Sequence, residues 1–84
     1  MRVVTVRYFA GARAAAGVTD ERVPVPAGGT VNDVLELVTA RHGSALARVL
    51  SASSLLLDEV AVRDRSRPLT PGATLDVLPP FAGG

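Results

Sequence analysis

The segment TVNDVLELVTARHG, from Thr30 to Gly43, constrains the fold more than any other part of the chain. Thr30 stands where a helix N-cap belongs, Asp33 occupies the position of a capping-box acid, and Gly43 ends the pattern. The apolar residues between them recur at helical spacing and define one face; they are Val31, Val34, Leu35 and Val38. The pattern predicts an amphipathic helix that must pack against a second layer.

The first residues of the chain supply a candidate for that layer. From Arg2 to Phe9 the sequence is rich in β-branched and aromatic residues. Val4, Val6 and Tyr8 fall on one side of the strand, and Thr5, Arg7 and Phe9 fall on the other. This alternation predicts a β-strand with one buried face.

The rest of the chain divides into short elements. An alanine-rich helix is expected over residues 10–17, an edge strand with Pro24 and Pro26 follows it, and Gly28 and Gly29 form a turn. After the main helix we expect a helical piece at SALARVL, a loop at SASS, strands at Leu55–Leu57 and Val60–Arg63, a turn at Pro71 and Gly72, and a last strand at TLDVL.

This order of elements predicts an α+β roll, in which one mixed sheet carries one main helix across one face. The long helix can serve as the crossover that parallel neighbours need, so the last strand is expected beside the first and parallel to it. Phe9 and Leu78 would then lie side by side on the face away from the helix, with Val62 beside them. We expect these residues to form an exposed apolar docking surface.

Composition narrows the classes of function. The 84 residues carry a net charge of +1, which is too balanced for the broad basic face of a nucleic-acid-binding protein. The chain has no cysteine, so a thiolate nucleophile or thiolate metal site is excluded. All nine basic residues are arginine, so no internal side chain is an amine. No stretch reaches membrane-spanning length, and we expect a cytoplasmic protein.

Internal sites for catalysis or metal binding find little support. His42 is the one histidine and, near a helix C-terminus, is expected to cap carbonyls. Gly28, Gly29 and Thr30 are explained as a turn and an N-cap rather than as a phosphate site. The arginines of residues 63–67 are expected to belong to a solvated loop. We therefore expect no metal, no bound cofactor and no catalysis by the chain alone.

The last seven residues, LPPFAGG, point to a different kind of chemistry. Pro79 and Pro80 cannot donate to a sheet, so the last strand must stop there and the chain must leave it in an extended form. Gly83 and Gly84 have no Cβ, so they can pass a narrow channel and expose a terminal carboxylate. We expect a domain at residues 1–78 and a functional tail at residues 79–84.

Together, VRYFAGARAAAG, PLTPGATLDVLPPFAGG and the order of elements resemble the MoaD family, the ubiquitin-like sulfur-carrier small subunit of molybdopterin synthase. The resemblance covers essentially the whole chain and implies a β-grasp fold. Two positions depart from the family, since Ala14 stands where glutamate is frequent and Phe81 stands where valine is common.

The resemblance also implies a reaction sequence. A MoeB-like activating enzyme would use ATP to adenylate Gly84, and a persulfide donor would convert the adenylate into a thiocarboxylate. The tail would then enter a MoaE-like large subunit, where its sulfur attacks a pterin precursor. By this resemblance the partner-binding residues are Phe9, Arg13, Val62, Leu78, Pro80, Phe81, Ala82 and Gly83.

Three alternatives remain open. The chain could be a ThiS-like or cysteine-pathway sulfur carrier, a ubiquitin-like modifier joined to target lysines, or a β-grasp module that only binds a partner. The opening YFA-x-x-R favours the MoaD-like role over the ThiS-like role, and the glycine end has no purpose in a module that only binds.

Overall fold

The computed structural model describes residues 2–80, which form a five-stranded sheet and three helices. The strands are β1 (Arg2–Tyr8), β2 (Asp20–Val25), β3 (Ser54–Leu57), β4 (Val60–Ala61) and β5 (Thr74–Leu78). The helices are α1 (Ala10–Ala16), α2 (Val31–His42) and α3 (Ser44–Ala52). The sheet order is β2-β1-β5-β3-β4, which confirms the predicted mixed sheet of an α+β fold.

The central pair of strands, β1 and β5, is parallel. Thr5 lies opposite Thr74 and Tyr8 opposite Val77, while β2 and β3 flank this pair in antiparallel orientation. Parallel neighbours need a long crossover, and here the crossover contains α2 and α3. The predicted pairing of the first and last strands is confirmed, and it brings the end of β5 beside the end of β1.

The core lies between the sheet and the helices, and both predicted apolar patterns contribute to it. Its strand residues include Val4, Val6, Tyr8, Leu75 and Val77, and its α2 residues are Val31, Val34, Leu35 and Val38. Burying one such side chain contributes about 1.5–3 kcal/mol relative to leaving it exposed. The sheet therefore has an inner face that packs on the helices and an outer face that carries the alternate residues.

Helix α2 begins with the predicted capping box. Thr30 Oγ1 accepts a hydrogen bond from the Asp33 amide at 3.3 Å, and Asp33 Oδ2 accepts one from the Thr30 amide at 2.8 Å. These bonds satisfy two amides that the first helical turn leaves without an intrahelical partner. The sequence therefore predicted the start of this helix correctly.

Several predicted boundaries were wrong, since β1 ends at Tyr8 rather than Phe9 and β3 begins at Ser54 rather than Leu55. Helix α3 continues through Ser51 and Ala52, which we expected in a loop, because Ser51 Oγ donates to the Arg48 carbonyl at 2.7 Å and is satisfied within the helix. Strand β4 ends at Ala61 and is shorter than predicted. All three predicted helices are present, and α2 is the longest with 12 residues. Among the helices of residues 2–80, none has the length and apolarity to cross a membrane.

Candidate functional site

The candidate site begins with Phe9 and Leu78 on the outer face of the sheet. Each lies one residue beyond the last paired position of the central strands, Tyr8 opposite Val77, and the Phe9 amide donates to the Val77 carbonyl at 3.0 Å. Phe9 is 37% exposed and Leu78 is half-buried. We call these two residues the Phe9–Leu78 patch. The structure brings them together on the outer face, as the strand order predicted.

An ion pair borders this patch, and sequence reasoning missed it. Arg7 Nε and Nη2 donate to Asp76 Oδ1 and Oδ2 at 2.6 and 2.7 Å, which makes a two-point contact across β1 and β5. The Arg7 guanidinium also lies 5.8 Å from the centre of the Phe9 ring, within the range of a cation–π contact. Arg7 and Asp76 are 69 positions apart in the chain, so no local sequence pattern could predict their ion pair.

The tail leaves the sheet at the patch. Strand β5 ends at Leu78, and both Pro79 and Pro80 are exposed and outside any strand. Prolines have no amide hydrogen, so pairing cannot continue through them. The predicted tail residues Phe81, Ala82, Gly83 and Gly84 lie outside the described residues. Pro79 and Pro80 therefore leave the sheet next to the Phe9–Leu78 patch.

Arg13, the remaining predicted partner-binding residue of the N-terminal segment, lies exposed in the last turn of α1. Phe9 is the N-cap of this helix, so α1 begins directly at the patch. At the other end, Gly17 has φ of 79° and its amide donates to the Arg13 carbonyl. A left-handed glycine is the usual way to end a helix, which confirms the predicted stop.

The expected position of Val62 beside the patch is wrong. Its amide donates to the Leu55 carbonyl at 2.9 Å, and Leu55 is a buried residue of the inner face. Val62 itself packs partly against the hydrophobic core. Paired residues of antiparallel strands point to the same face, so Val62 faces the helices and not the patch.

A recess lies on the outer face next to the patch. It has a volume of ≈ 380 Å³ and is lined by Thr5, Arg7, Asp58, Glu59, Thr74 and Asp76. Asp58 and Glu59 form the two-residue turn between β3 and β4, and both have positive φ, at 48° and 71°. Two consecutive positive φ values are typical of the tight turns that match the twist of a hairpin.

A second polar cluster, also not predicted, ties the edge strand β2 to the end of α2. The Glu21 carboxylate accepts from Tyr8 Oη at 2.6 Å and from Arg41 Nη1 at 3.0 Å, and His42 Nε2 lies 2.5 Å from its Oε2 atom. The Tyr8 and His42 rings also meet edge to face at 6.1 Å between their centres. His42 therefore contacts a carboxylate, rather than acting simply as the predicted carbonyl cap.

Burial and hydrogen bonding act in opposite directions on this cluster. Burial raises the pKa of Glu21, but the hydrogen bonds from Tyr8, His42 and Arg41 outweigh it and hold the pKa below its usual value. Burial, helped by the bond to Glu21, raises the pKa of Tyr8. The cluster thus favours an ionised glutamate and a neutral tyrosine, the states that suit a structural tie between elements.

The remaining candidate positions were a metal site and the arginine loop. Within residues 2–80, no three histidine, aspartate or glutamate side chains lie where they could hold a metal ion. In the arginine loop, Arg63 and Arg67 are exposed, while Arg65 is half-buried and donates to the Ser53 carbonyl at 3.3 Å. One of the three arginines therefore supports the end of α3, which the loop's composition did not indicate.

Solved structures share this arrangement over nearly the whole chain. A protein of Pyrococcus furiosus described as molybdopterin converting factor, subunit 1, is 25% identical with a TM-score of 0.82; the match covers 96% of this chain and 100% of that one. The small archaeal modifier protein 1 of Haloferax volcanii is also 25% identical, with a TM-score of 0.84 and the same coverage.

A third structure shows the likeness of fold alone. It is a complex of subunits 1 and 2 of the molybdopterin-converting factor from Helicobacter pylori, in which the matched chain is 20% identical with a TM-score of 0.67; the match covers 98% of this chain and 99% of that one. No protein with a curated description is detectably similar in sequence.

The family comparison gives the broader relationship. The sequence pattern of the ThiS family matches residues 6–84, which is nearly the full length of the chain. The match includes the last three residues of β1, all of β5 and the residues that follow β5. The chain therefore belongs to the ThiS family and is a small ubiquitin-like sulfur carrier of the ThiS/MoaD type with a β-grasp fold.

Proposed function

We propose that this protein is the sulfur-donating small subunit of a molybdopterin synthase and that Gly84 carries the sulfur. The observation that carries the proposal is the position of the Phe9–Leu78 patch, which lies where β5 ends and the Pro79-Pro80 segment leaves the sheet. A partner that binds the patch is thereby placed to receive the tail. The similarity to the P. furiosus converting-factor subunit supports this role among the sulfur carriers.

The proposed chemistry takes place on the terminal carboxylate. A carboxylate is a weak electrophile, so a MoeB-like enzyme first transfers AMP from ATP to it, and pyrophosphate is released. The terminal sulfur of a persulfide then displaces AMP, and a thiol reduces the resulting acyl disulfide to a thiocarboxylate. Because the chain has no cysteine, all of this sulfur comes from outside it.

The proposed second stage takes place in a MoaE-like large subunit. Phe81 and Ala82 would lie at the entrance of a channel in the large subunit. Gly83 and Gly84 would pass the narrowest part of that channel because they have no side chains. There the thiocarboxylate sulfur attacks the pterin precursor, and water then hydrolyses the thioester that joins the two, which leaves the sulfur on the pterin and returns Gly84 to a carboxylate. Two carriers supply one dithiolene. The H. pylori structure shows a protein of this fold in complex with its subunit 2.

The mass of the intact protein tests the loading step. After co-expression with the adenylating enzyme from the same genome, we expect the mass increase that corresponds to one oxygen replaced by sulfur. Deleting Gly84, or adding one residue after it, should abolish the increase without changing the thermal unfolding of the domain. The exposed substitution Arg48→Lys serves as the control and should load normally. Normal loading of the protein that lacks Gly84 would refute the proposal.

A second candidate function is conjugation to other proteins. It is favoured by the similarity to the H. volcanii protein named small archaeal modifier protein 1. Both functions begin with an adenylated terminal glycine, but a modifier forms an amide with a target amine. Stable protein conjugates distinguish the modifier from the sulfur carrier, whereas activation of the terminal glycine is common to both.

A further inference from the structure

Arg7 is unusually well held for a side chain on an exposed sheet face. Its side chain is 46% exposed, whereas that of its partner Asp76 is 7% exposed. Two hydrogen bonds to the carboxylate fix the plane of the guanidinium, and Phe9 lies against it at 5.8 Å. A planar guanidinium held at two points loses less conformational freedom on binding than a mobile arginine does.

The pair does more than join two strands. A buried carboxylate costs free energy unless it is paired, and the neighbouring paired position on this face, Thr5 opposite Thr74, carries no charge. Arg7 Nε and Nη2 face Asp76, while Nη1 has no hydrogen-bond partner among residues 2–80. The arrangement leaves one edge of a fixed guanidinium available beside the Phe9–Leu78 patch.

The surroundings of Arg7 indicate what can bind that edge. Three carboxylates line the recess with it, those of Asp58, Glu59 and Asp76, and Asp20 lies opposite Arg7 on β2. Since Arg7 offsets the charge of Asp76 alone, the remaining carboxylates would repel a carboxylate brought by a partner, whereas a neutral carbonyl oxygen can accept from Nη1 without that penalty. The recess of ≈ 380 Å³ gives a partner's main chain room to approach.

We propose that Arg7 is a specificity-determining residue of the docking surface and donates from Nη1 to a main-chain carbonyl of the large synthase subunit, the partner proposed to receive the tail beside the Phe9–Leu78 patch. Asp76 is then a positioning residue, which touches Arg7 and no partner. The inference rests on the proposed function, because it requires that a partner bind this face.

The test measures binding of the purified large synthase subunit from the same genome by surface plasmon resonance. Arg7→Lys keeps the charge and loses the planar fork, so we expect Kd for this subunit to rise about tenfold or more, as for the loss of a charged hydrogen bond. The loss should be similar at low and high salt, because the acceptor is neutral. Arg48→Lys, an exposed change on α3, should leave Kd within about twofold.

Asp76→Asn separates positioning from a role in stability. The ¹H–¹⁵N signal of Arg7 Nε should be protected from exchange in the parent and lost in this variant, and affinity should fall even where the variant is fully folded. If Arg7→Lys and Asp76→Asn change only the free energy of unfolding and leave the affinity for the large subunit unchanged, the pair is purely structural and the inference is wrong.

Phe9→Ala distinguishes failure of the inference from failure of the proposed function. If Phe9→Ala weakens binding while Arg7→Lys does not, the docking surface stands and the role of Arg7 is rejected. If the parent does not bind the large subunit, both proposals fail. If Arg7→Lys alters only self-association, seen by sedimentation, the occupant is a second copy and the inference is again overturned.

Discussion

At the scale of single residues, Glu21 shows how one carboxylate can join several elements. It lies in β2 and accepts from Tyr8 in β1 and Arg41 in α2, with His42 in contact as well. The Glu21 side chain is only 15% exposed, so these contacts form largely away from solvent. Hydrogen bonds to a charged group at such a position contribute more than exposed ones.

The first prediction concerns the pH dependence of stability at Glu21. Its folded-state pKa is lowered, so it stabilises the fold above its usual pKa and loses this effect as the pH falls toward the folded value. We expect Glu21→Gln to lower the free energy of unfolding by about 1–3 kcal/mol at neutral pH, and by less in acid. Urea denaturation at several pH values measures the difference.

The control for this prediction is Glu36→Gln, at an exposed position of α2, which should change stability little at any pH. A constant difference between parent and Glu21→Gln from neutral to strongly acidic pH would show that the charge of Glu21 is not what stabilises the fold.

The second prediction concerns two adjacent glycines that the sequence assigned to one turn. Gly28 has φ of 81° with open space around it, whereas a Cβ on Gly29 would overlap Val25 Cγ1 in the core. Gly28→Ala should lower the free energy of unfolding by about 1–2 kcal/mol through backbone strain. Gly29→Ala should lower it by about 1–3 kcal/mol because the new Cβ displaces Val25.

Combining each change with Val25→Ala separates these two causes by thermal unfolding. The truncation should relieve the effect of Gly29→Ala and leave that of Gly28→Ala unchanged, since only the former depends on contact with Val25. Equal relief in both combinations would contradict the assignment.

At the scale of elements, the β1–β5 pairing produces the candidate site. Parallel register sets Phe9 beside Leu78 and Arg7 beside Asp76, and the stop at Pro79 fixes where the tail begins. Each strand alone carries only half of each pair. The site is therefore a property of the pairing and not of either strand.

The third prediction follows from this pairing. Phe9→Ala and Leu78→Ala should each weaken partner binding. Truncating Phe9 should cost about 2 kcal/mol or more of binding free energy, as for an aromatic anchor residue. Isothermal titration calorimetry with the adenylating enzyme and the large subunit measures the loss. Val3→Ala is a matched control, because Val3 is an exposed residue of β1 at the other end of the strand. Unchanged affinities in both patch variants would place the docking surface elsewhere.

At the scale of the whole molecule, the side chains of this protein are poorly suited to accept the activated C-terminal glycine of another copy. It has neither lysine nor cysteine, so no side chain offers an amine or thiol to an activated glycine. A polymer joined by amide or thioester bonds to internal side chains of this protein is therefore excluded. Amide conjugates at lysine side chains would have to form on other proteins.

The fourth prediction uses this property to separate carrier from modifier. We expect cell lysates probed with an antibody to this protein to show the free chain and no ladder of larger species in denaturant and reductant. A strain in which Gly84 is deleted is the control. High-mass bands that persist in the parent strain and disappear in the control strain would favour the modifier.

Local patterns in the sequence were enough to predict β1, β5 and α2, because periodicity reports which residues of one element share a face and capping residues report where a helix begins. They also placed Phe9 and Leu78 on the outer face, since the crossover helix implied a parallel pair. The extent of α3 was missed because Ser51 and Ser53 can bond to helix carbonyls as readily as they form a loop.

Only the tertiary structure decided which outward or polar side chains meet. The Arg7–Asp76 pair, the contacts of Glu21 and the inward position of Val62 all depend on strand order and register. Periodicity assigns a face within one element, but contacts between elements depend on how the strands align, and a shift of one residue would send each side chain to the opposite face.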